Sequence, residues 1–411
     1  MLNHDPFLPL SSAGVDQSWL DANKAGLLTS LADNKYWTNT ILPLVRSGHM
    51  AALIRDQYVY PHRVGLFPGL SCMFYCGFCG RNKNAAYDRT LVDAGIDIYK
   101  NLMSDAPQDG DHWKDRFRIS GGQEPLTNPR IGELVSYGAN LGLRMGMYTN
   151  AYMLTTSFMN KQPGMFNLDY LRVSLYGHND HSYDMTTKRA NSWKIVRNNL
   201  VNWAKLDGTQ DIRLGVNWII LPGKSHDYMR FLKTMSELQE DMGRPLDFIT
   251  VREDFSQDLV YINDEERHQL SEIMLEAGKL VATSMPNTKI DYGYALEPLR
   301  QGKITGPLKM AKYNQLDAKG LTQASVQVDI AGNVYAYHET AFLDRPGSDR
   351  FIIGNAKDGM EAVIRSHLAN GNLEYIPSDT EMLDAFDHAV SLAVWAAKQD
   401  VANGFSTTLW Q

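Results

Sequence analysis

Residues 64–82 read Val-Gly-Leu-Phe-Pro-Gly-Leu-Ser-Cys-Met-Phe-Tyr-Cys-Gly-Phe-Cys-Gly-Arg-Asn. The apolar run ending at Phe67 has the length of a strand, and Pro68-Gly69 stops it. Cys72, Cys76 and Cys79 follow at once, spaced Cys-x3-Cys-x2-Cys, and they are the only cysteines in 411 residues. Thiolates are soft ligands that suit iron–sulfur clusters or zinc. Three of them on a four-iron cluster leave one iron open to an external ligand. A zinc site would draw a fourth ligand instead, for which His62 or His112 is available. A third reading is three buried, inert cysteines in a turn. Such tight clustering does not form a disulfide framework, so the expected setting is the reducing cytoplasm.

Outward from this stretch, strand-like and helix-like segments alternate. FRIS at 117–120, RMGMYT at 144–149, YLRVSLYG at 170–177, DIRLGVNWIIL at 211–221 and LDFITV at 246–251 read as further strands. Helical patterns lie between them, after Pro129, through Trp193 and Leu200, and around residues 226–240. With the strand at 62–67 this makes six β–α steps between about residues 60 and 260. The order implies a parallel sheet with helical crossovers, and six units are too few for a closed eight-stranded barrel. The expected architecture is therefore α/β, an open partial (β/α)6 barrel with chemistry at the carboxyl ends of its strands. The cysteine loop, Gly121–Glu124, Thr149–Asn150, Ser174–Gly177 and Arg252–Asp254 all fall at such ends. Residues 1–59 read as a helical N-terminal segment, with Trp37, Ile41, Leu42, Leu44, Val45, Met50, Leu53 and Ile54 at helical spacing. Residues 261–411 read as an α+β extension: a helix, the tyrosine-rich DYGYALEPLR, two strand-like pieces and a long final helix.

Apolar residues make up 44% and charged residues 21%, which is globular composition. A net charge of −7 argues against a general nucleic-acid or anionic-membrane binder, though not against one local basic pocket. The start MLNHDPFLPLSSAGVDQ lacks the basic and apolar regions of a secretory signal, and LGVNWIILPG is too short to span a bilayer.

The cysteine spacing, with the aromatic Phe78 before the last thiol, resembles the signature of the radical S-adenosylmethionine (SAM) superfamily. The resemblance implies one [4Fe–4S] cluster on Cys72, Cys76 and Cys79, SAM on the open iron, and a 5′-deoxyadenosyl radical made with an electron from a flavodoxin- or ferredoxin-type donor. RISGGQEPL resembles the family's glycine-glycine-glutamate motif, with Gln123 inserted before Glu124; Gly121 and Gly122 would let backbone approach SAM. Ser174, Arg172 and Asn217 are further SAM-side candidates. Arg172 shares a strand face with Ser174, and an ordinary ion pair is its alternative role. The segment VQVDIAGNVYAYHETAFLDRPGSDRFIIGNA resembles the hairpin of SPASM extensions, with Tyr337 and His338 where a cluster cysteine would fall. Without a fourth cysteine no all-thiolate auxiliary cluster can form, so this hairpin is left with packing or closing a pocket.

From about Tyr36 to Gly354 the resemblance narrows. YWTNTILPL, VGLFPGLSCMF, SGGQEPLTNP, SLYGHND, ILPG, VREDFS, DYGYALEPLR and VQVDIAGNVYAY are similar to the radical SAM deaminases of desosamine biosynthesis. This implies hydrogen abstraction beside an amine on a nucleotide-linked sugar, loss of ammonia and a keto-sugar product. Glu253 and Asp254 then become proton acceptors. Arg252 and Arg300 become diphosphate ligands, Tyr292 and Tyr294 base or phosphate contacts, and Tyr148, Asn150 and Tyr176 substrate-side residues. Two alternatives stay open for these groups: Arg252–Glu253–Asp254 as a structural ion network, and Tyr292 and Tyr294 as core residues. The competing reaction classes are a radical SAM dehydrogenase, epimerase or decarboxylase on another sugar or aminocyclitol.

Overall fold

The computed structural model describes residues 35–110, 112–254, 264–303 and 309–402. The N-terminal stretch searched for a secretory signal and the proposed boundary near residue 260 lie outside them.

One ten-stranded sheet organises the chain, in the order β10-β9-β8-β1-β2-β3-β4-β5-β6-β7. Strands β1 (Arg63–Phe67), β2 (Phe117–Ile119), β3 (Gly146–Thr149), β4 (Tyr170–Ser174), β5 (Arg213–Ile220) and β6 (Phe248–Glu253) are the six expected from the sequence, in parallel register. The sheet does not stop there. β7 (Lys289–Tyr292) pairs parallel with β6, and β8 (Ser325–Asp329) pairs parallel with β1 on the other flank. The segment after residue 260 thus completes the barrel sheet and is not merely appended to it. The physical reason is that β1 and β6 would otherwise present unpaired backbone edges.

Helices α1 (Val92–Asp105), α2 (Ile131–Asn140), α3 (Ser192–Ala204) and α4 (Asp227–Met242) are crossovers between successive strands. Each offers an apolar stripe: Ile96, Tyr99 and Leu102; Leu134 and Val135; Val196, Leu200 and Trp203; Phe231, Leu232, Met235 and Leu238. These pack on one row of each strand, such as Val64 and Leu66, Phe117 and Ile119, Leu171 and Val173. The opposite row differs. Parallel strands covered on both faces are usually apolar throughout, yet here Arg63, Arg118, Tyr148, Arg172, Ser174, Asn217 and Arg252 alternate with the core residues. The concave side of the sheet encloses a polar cavity of about 1050 Å³.

The expected hairpin is present. β9 (Asn333–Tyr335) turns back antiparallel on β8, and β10 (Ile352–Asn355) pairs with β9. Phe342 from the intervening loop joins Phe67 and Tyr335 in a small apolar cluster over the carboxyl end of β1. A second core joins Trp37, Ile41, Leu44 and Met50 of the N-terminal helices to Ala389, Val390 and Val394 of the last helix, α5 (Ala385–Ala402). Among the described residues no helix is long and apolar enough to cross a membrane.

Candidate active site

The loop after β1 is held by backbone bonds on all sides. Leu70 N–H donates to Thr127 Oγ1 at 2.8 Å, Tyr87 N–H to Leu70 O at 2.8 Å, and Tyr75 N–H to Thr187 O at 2.8 Å. Buried Arg81 closes it from within, donating to Phe74 O and, at 3.3 Å, to Lys83 O. Gly69 permits the turn: a Cβ there would stand 2.7 Å from the backbone carbon of Gln123. The loop directs Cys72, Cys76 and Cys79 into the cavity, with Phe78 beside them. Phe78 packs edge-on against Tyr176 at 4.8 Å. Burial pushes the Cys72 thiol up to about 11, helped by Glu124, and the Cys76 thiol up to about 12, with Cys79 raised as well.

The turn after β2 presents Gly121 and Gly122 to the same space. Gly121 has φ +128°, and a Cβ there would meet the Phe67 ring at 2.6 Å, so only glycine fits. Glu124 does not point its carboxylate freely into the cavity. One oxygen accepts from Leu126 N–H at 3.1 Å and from the Thr149 hydroxyl, and the other accepts from Asn150 N–H at 2.8 Å. It ties this turn to the end of β3. Burial pushes its carboxyl up to about 7, and those three bonds hold it from going further.

Other residues singled out from the sequence share the cavity: Tyr148, Asn150, Arg172, Ser174, Tyr176, Asn217, Arg252, Glu253 and Tyr294. Arg172 donates to Asn217 and lies over the Tyr148 ring at 4.5 Å. Arg252 donates to Asp291 at 2.8 Å, and Lys35 pairs with the same carboxylate. Glu253 is fully buried; Oε1 accepts from Ala295 N–H at 3.2 Å, and Oε2 has no hydrogen-bond partner among the described residues. Burial raises its pKa, against the pull of Arg252.

Three residues are placed elsewhere. Asp254 is buried but is not among the cavity-lining residues. Tyr292 hydrogen-bonds Tyr228 at 2.9 Å and lines a separate, smaller cleft, together with Arg300. The Arg300 side chain is 44% exposed and paired with Glu297, so the central cavity does not include it. Nor do His62 and His112 stand with the thiols. They gather with His49, their ring nitrogens within 4.8 Å of one another. His62 precedes β1 and Cys72 follows it, so a strand of roughly 13–17 Å lies between.

Sequence reasoning missed Arg63, Arg118, Lys35, Asp291 and Glu339, all of which line the cavity, as does His338 of the hairpin. His338 Nδ1 is 3.3 Å from Glu339 Oε1, and Arg345 donates to Glu339 Oε2 at 3.1 Å. A Cβ on Gly80 would be 3.2 Å from that carboxylate, so the hairpin loop rests directly on the cysteine loop. Tyr337, its neighbour, is fully buried and bonded to Tyr375 at 2.7 Å. A signal was available for Arg118: a charged residue between two apolar ones inside its strand.

A curated protein from Streptomyces venezuelae, dTDP-4-amino-4,6-dideoxy-D-glucose ammonia-lyase, is 35% identical over 377 residues, which span 90% of this chain and 77% of the relative. The chain belongs to this family of radical SAM ammonia-lyases. No family profile matches it. Among solved structures, SuiB of Streptococcus suis aligns with a TM-score of 0.47 at 11% identity, covering 76% of this chain and 71% of that one. TYW1 with a lysine-pyruvate adduct aligns with a TM-score of 0.36 at 16% identity, covering 58% and 81%.

For a radical SAM ammonia-lyase, the thiol loop must suit an iron–sulfur cluster, and its donor set does. Three soft sulfur donors open on one cavity, two half-buried and one buried. Their raised pKa values mean that the unliganded loop carries neutral thiols, whose protons must leave when metal binds.

Proposed function

We propose that this enzyme binds one [4Fe–4S] cluster through Cys72, Cys76 and Cys79, takes SAM beside it, and removes ammonia from a nucleotide-linked amino sugar to give a keto sugar. Held by these thiols and reduced by a flavodoxin- or ferredoxin-type donor, the cluster with SAM would supply the radical chemistry needed to take hydrogen from the carbon next to the amine. The observation that carries this reading is the 35% identity to an ammonia-lyase across 90% of the chain.

The chain's own residues would do the rest. Gly121, Gly122, Ser174, Arg172 and Asn217 line the cavity and are assigned to SAM, and Phe78 shields the thiols. Tyr148, Asn150, Tyr176 and Tyr294 are assigned to the sugar side. As the carbon–nitrogen bond breaks, the adjacent hydroxyl must release its proton for the carbonyl to form. Glu253 is assigned to accept it. Its buried carboxylate has an oxygen with no hydrogen-bond partner among the described residues, and a raised pKa matches such a task near neutral pH. The hairpin loop, with His338 and Glu339 beside the cysteine loop, closes the cavity rather than carrying a second cluster. Three thiols that must stay free for metal favour the cytoplasm.

The test is anaerobic turnover of reconstituted enzyme with nucleotide-linked amino sugars, following ammonia, 5′-deoxyadenosine and product mass. Iron and sulfide should each reach about four per chain. A product retaining its amine and two hydrogens lighter would move the assignment to a dehydrogenase.

A further inference from the structure

Two guanidinium groups on the concave face of the sheet have no ion-pair partner among the described residues, Asp384 and Asp115 acting on them only from beyond ion-pair distance. Arg63 begins β1 and Arg118 is the middle residue of β2, on strands paired in parallel register, and both line the central cavity. The contacts of Arg63 are aromatic, with its guanidinium 5.2 Å from the centre of the Phe386 ring. Arg118 stands 5.6 Å from the centre of the Tyr148 ring and bonds the Tyr170 hydroxyl. Burial and the nearby Arg118 charge lower the Arg63 pKa, whereas Tyr148, Tyr170 and Asp115 raise that of Arg118 against its burial. Tyr148 registers the same field: burial raises its pKa, but Arg118, Arg172 and Arg252 overcome that and bring it below the ordinary value.

Like charges held side by side in a half-buried cavity destabilise each other unless an anion joins them. Three other cationic groups of the cavity, Arg252, Lys35 and Arg172, already have partners. Arg252 and Lys35 share Asp291, although Arg252 keeps Nη1 unbonded, and Arg172 is bonded to Asn217. We propose that Arg63 and Arg118 form the diphosphate-binding site of this cavity, each guanidinium fork taking one phosphate of a nucleoside diphosphate-linked substrate. A guanidinium presents two parallel N–H donors that match phosphate oxygens, and two adjacent forks suit two linked phosphates better than a single carboxylate. Position agrees with this. Arg63 is at the amino end of β1 and the thiols follow its carboxyl end, which leaves a sugar ring between the diphosphate and the reacting carbon's radical source.

This inference rests on the nucleotide-sugar reading, and its test separates the two. Binding of dTDP, thymidine and SAM is measured by anaerobic calorimetry on reconstituted wild type and on Arg63→Gln, Arg118→Gln and Arg300→Gln. Charge-assisted phosphate contacts are strong enough that either cavity variant should weaken dTDP by roughly one to two orders of magnitude. SAM affinity and iron content should hold, and Arg300→Gln should bind dTDP as wild type does. Arg63→Lys and Arg118→Lys should fall between wild type and Gln. Should the Gln variants fail to fold, phenylglyoxal labelling of wild type decides, because saturating dTDP should shield Arg63 and Arg118. Normal dTDP affinity in both Gln variants, or no shielding in wild type, overturns the site while leaving the nucleotide-sugar reading intact. If wild type binds neither dTDP nor any nucleotide sugar, that broader reading fails instead.

Discussion

The two ends of the cavity are built in different ways. At the thiol end, one loop of eight residues from Cys72 to Cys79 carries every thiol of the chain, and a lattice of backbone bonds fixes it. At the arginine end, Arg63, Arg118 and Arg252 come one apiece from β1, β2 and β6, and only the curvature of the sheet brings them to a shared space. The first end is a local motif with its own chemistry. The second exists only once the fold does, and a chain can alter it one strand at a time without disturbing the first. This is how one scaffold can keep its radical source while changing what it acts upon.

Disabling the thiol end is expected to have the largest effect. Cys72→Ala, Cys76→Ala or Cys79→Ala should each abolish 5′-deoxyadenosine production, since no other cysteine exists to replace the missing ligand. Chromatography of anaerobic reaction mixtures measures it. Wild-type-like production from any one variant would remove the basis of the cluster assignment. A smaller effect is expected at Glu253, the last residue of β6. Glu253→Gln keeps the shape but cannot accept a proton, so ammonia release should slow by roughly 10²–10⁴-fold, the usual worth of a general base. SAM binding should be unaltered. Unchanged ammonia release with normal SAM affinity would place proton acceptance elsewhere, His338 being the next group to examine.

The same contrast explains how much could be read in advance. The six strands β1–β6 were legible because each is an apolar run at the right distance from its neighbours, and the cysteine loop was legible because its meaning lies in spacing alone. Arg63 and Arg118 were not, although FRI sets a charge between two apolar residues. Reading that charge as cavity-facing requires knowing which face of the strand the helices cover. Arg300 went the other way. Its tyrosine-rich segment suggested the cavity, but the short helix Leu296–Arg300 turns it toward Glu297 and solvent. The role of β7 and β8 was hidden for a similar reason: strands of four and five residues carry too little periodicity to show that they extend a sheet begun two hundred residues earlier.

The smallest expected effect tests whether the thiol end is truly held by local bonds. Glu124 sits in the glycine turn, its two oxygens taken by Leu126, Thr149 and Asn150. Its carboxyl is pushed up to about 7 by burial, against an ordinary value of 4.5. A carboxyl whose pKa is higher in the folded state binds its proton more tightly there, so protonation favours folding. Below about pH 4.5 the group is neutral in folded and unfolded chains alike and contributes no slope. Between about 4.5 and 7 the folded state keeps a proton that the unfolded chain has lost, and stability from this group declines as pH rises. Above 7 the decline is complete, at roughly 2–4 kcal/mol for a shift of this size. Glu124→Gln has no such titration, but it turns an amide N–H₂ toward Asn150 N–H and loses an acceptor there, a cost of about 1–3 kcal/mol. The variant should therefore be less stable than wild type at pH 5, and the gap should narrow or close by pH 8. Anaerobic urea melts of the reconstituted proteins at the two pH values measure this. A gap that widens with pH would mean that Glu124 is charged and stabilised where it lies, and that a cationic partner, rather than the backbone lattice, holds the turn against the thiol loop.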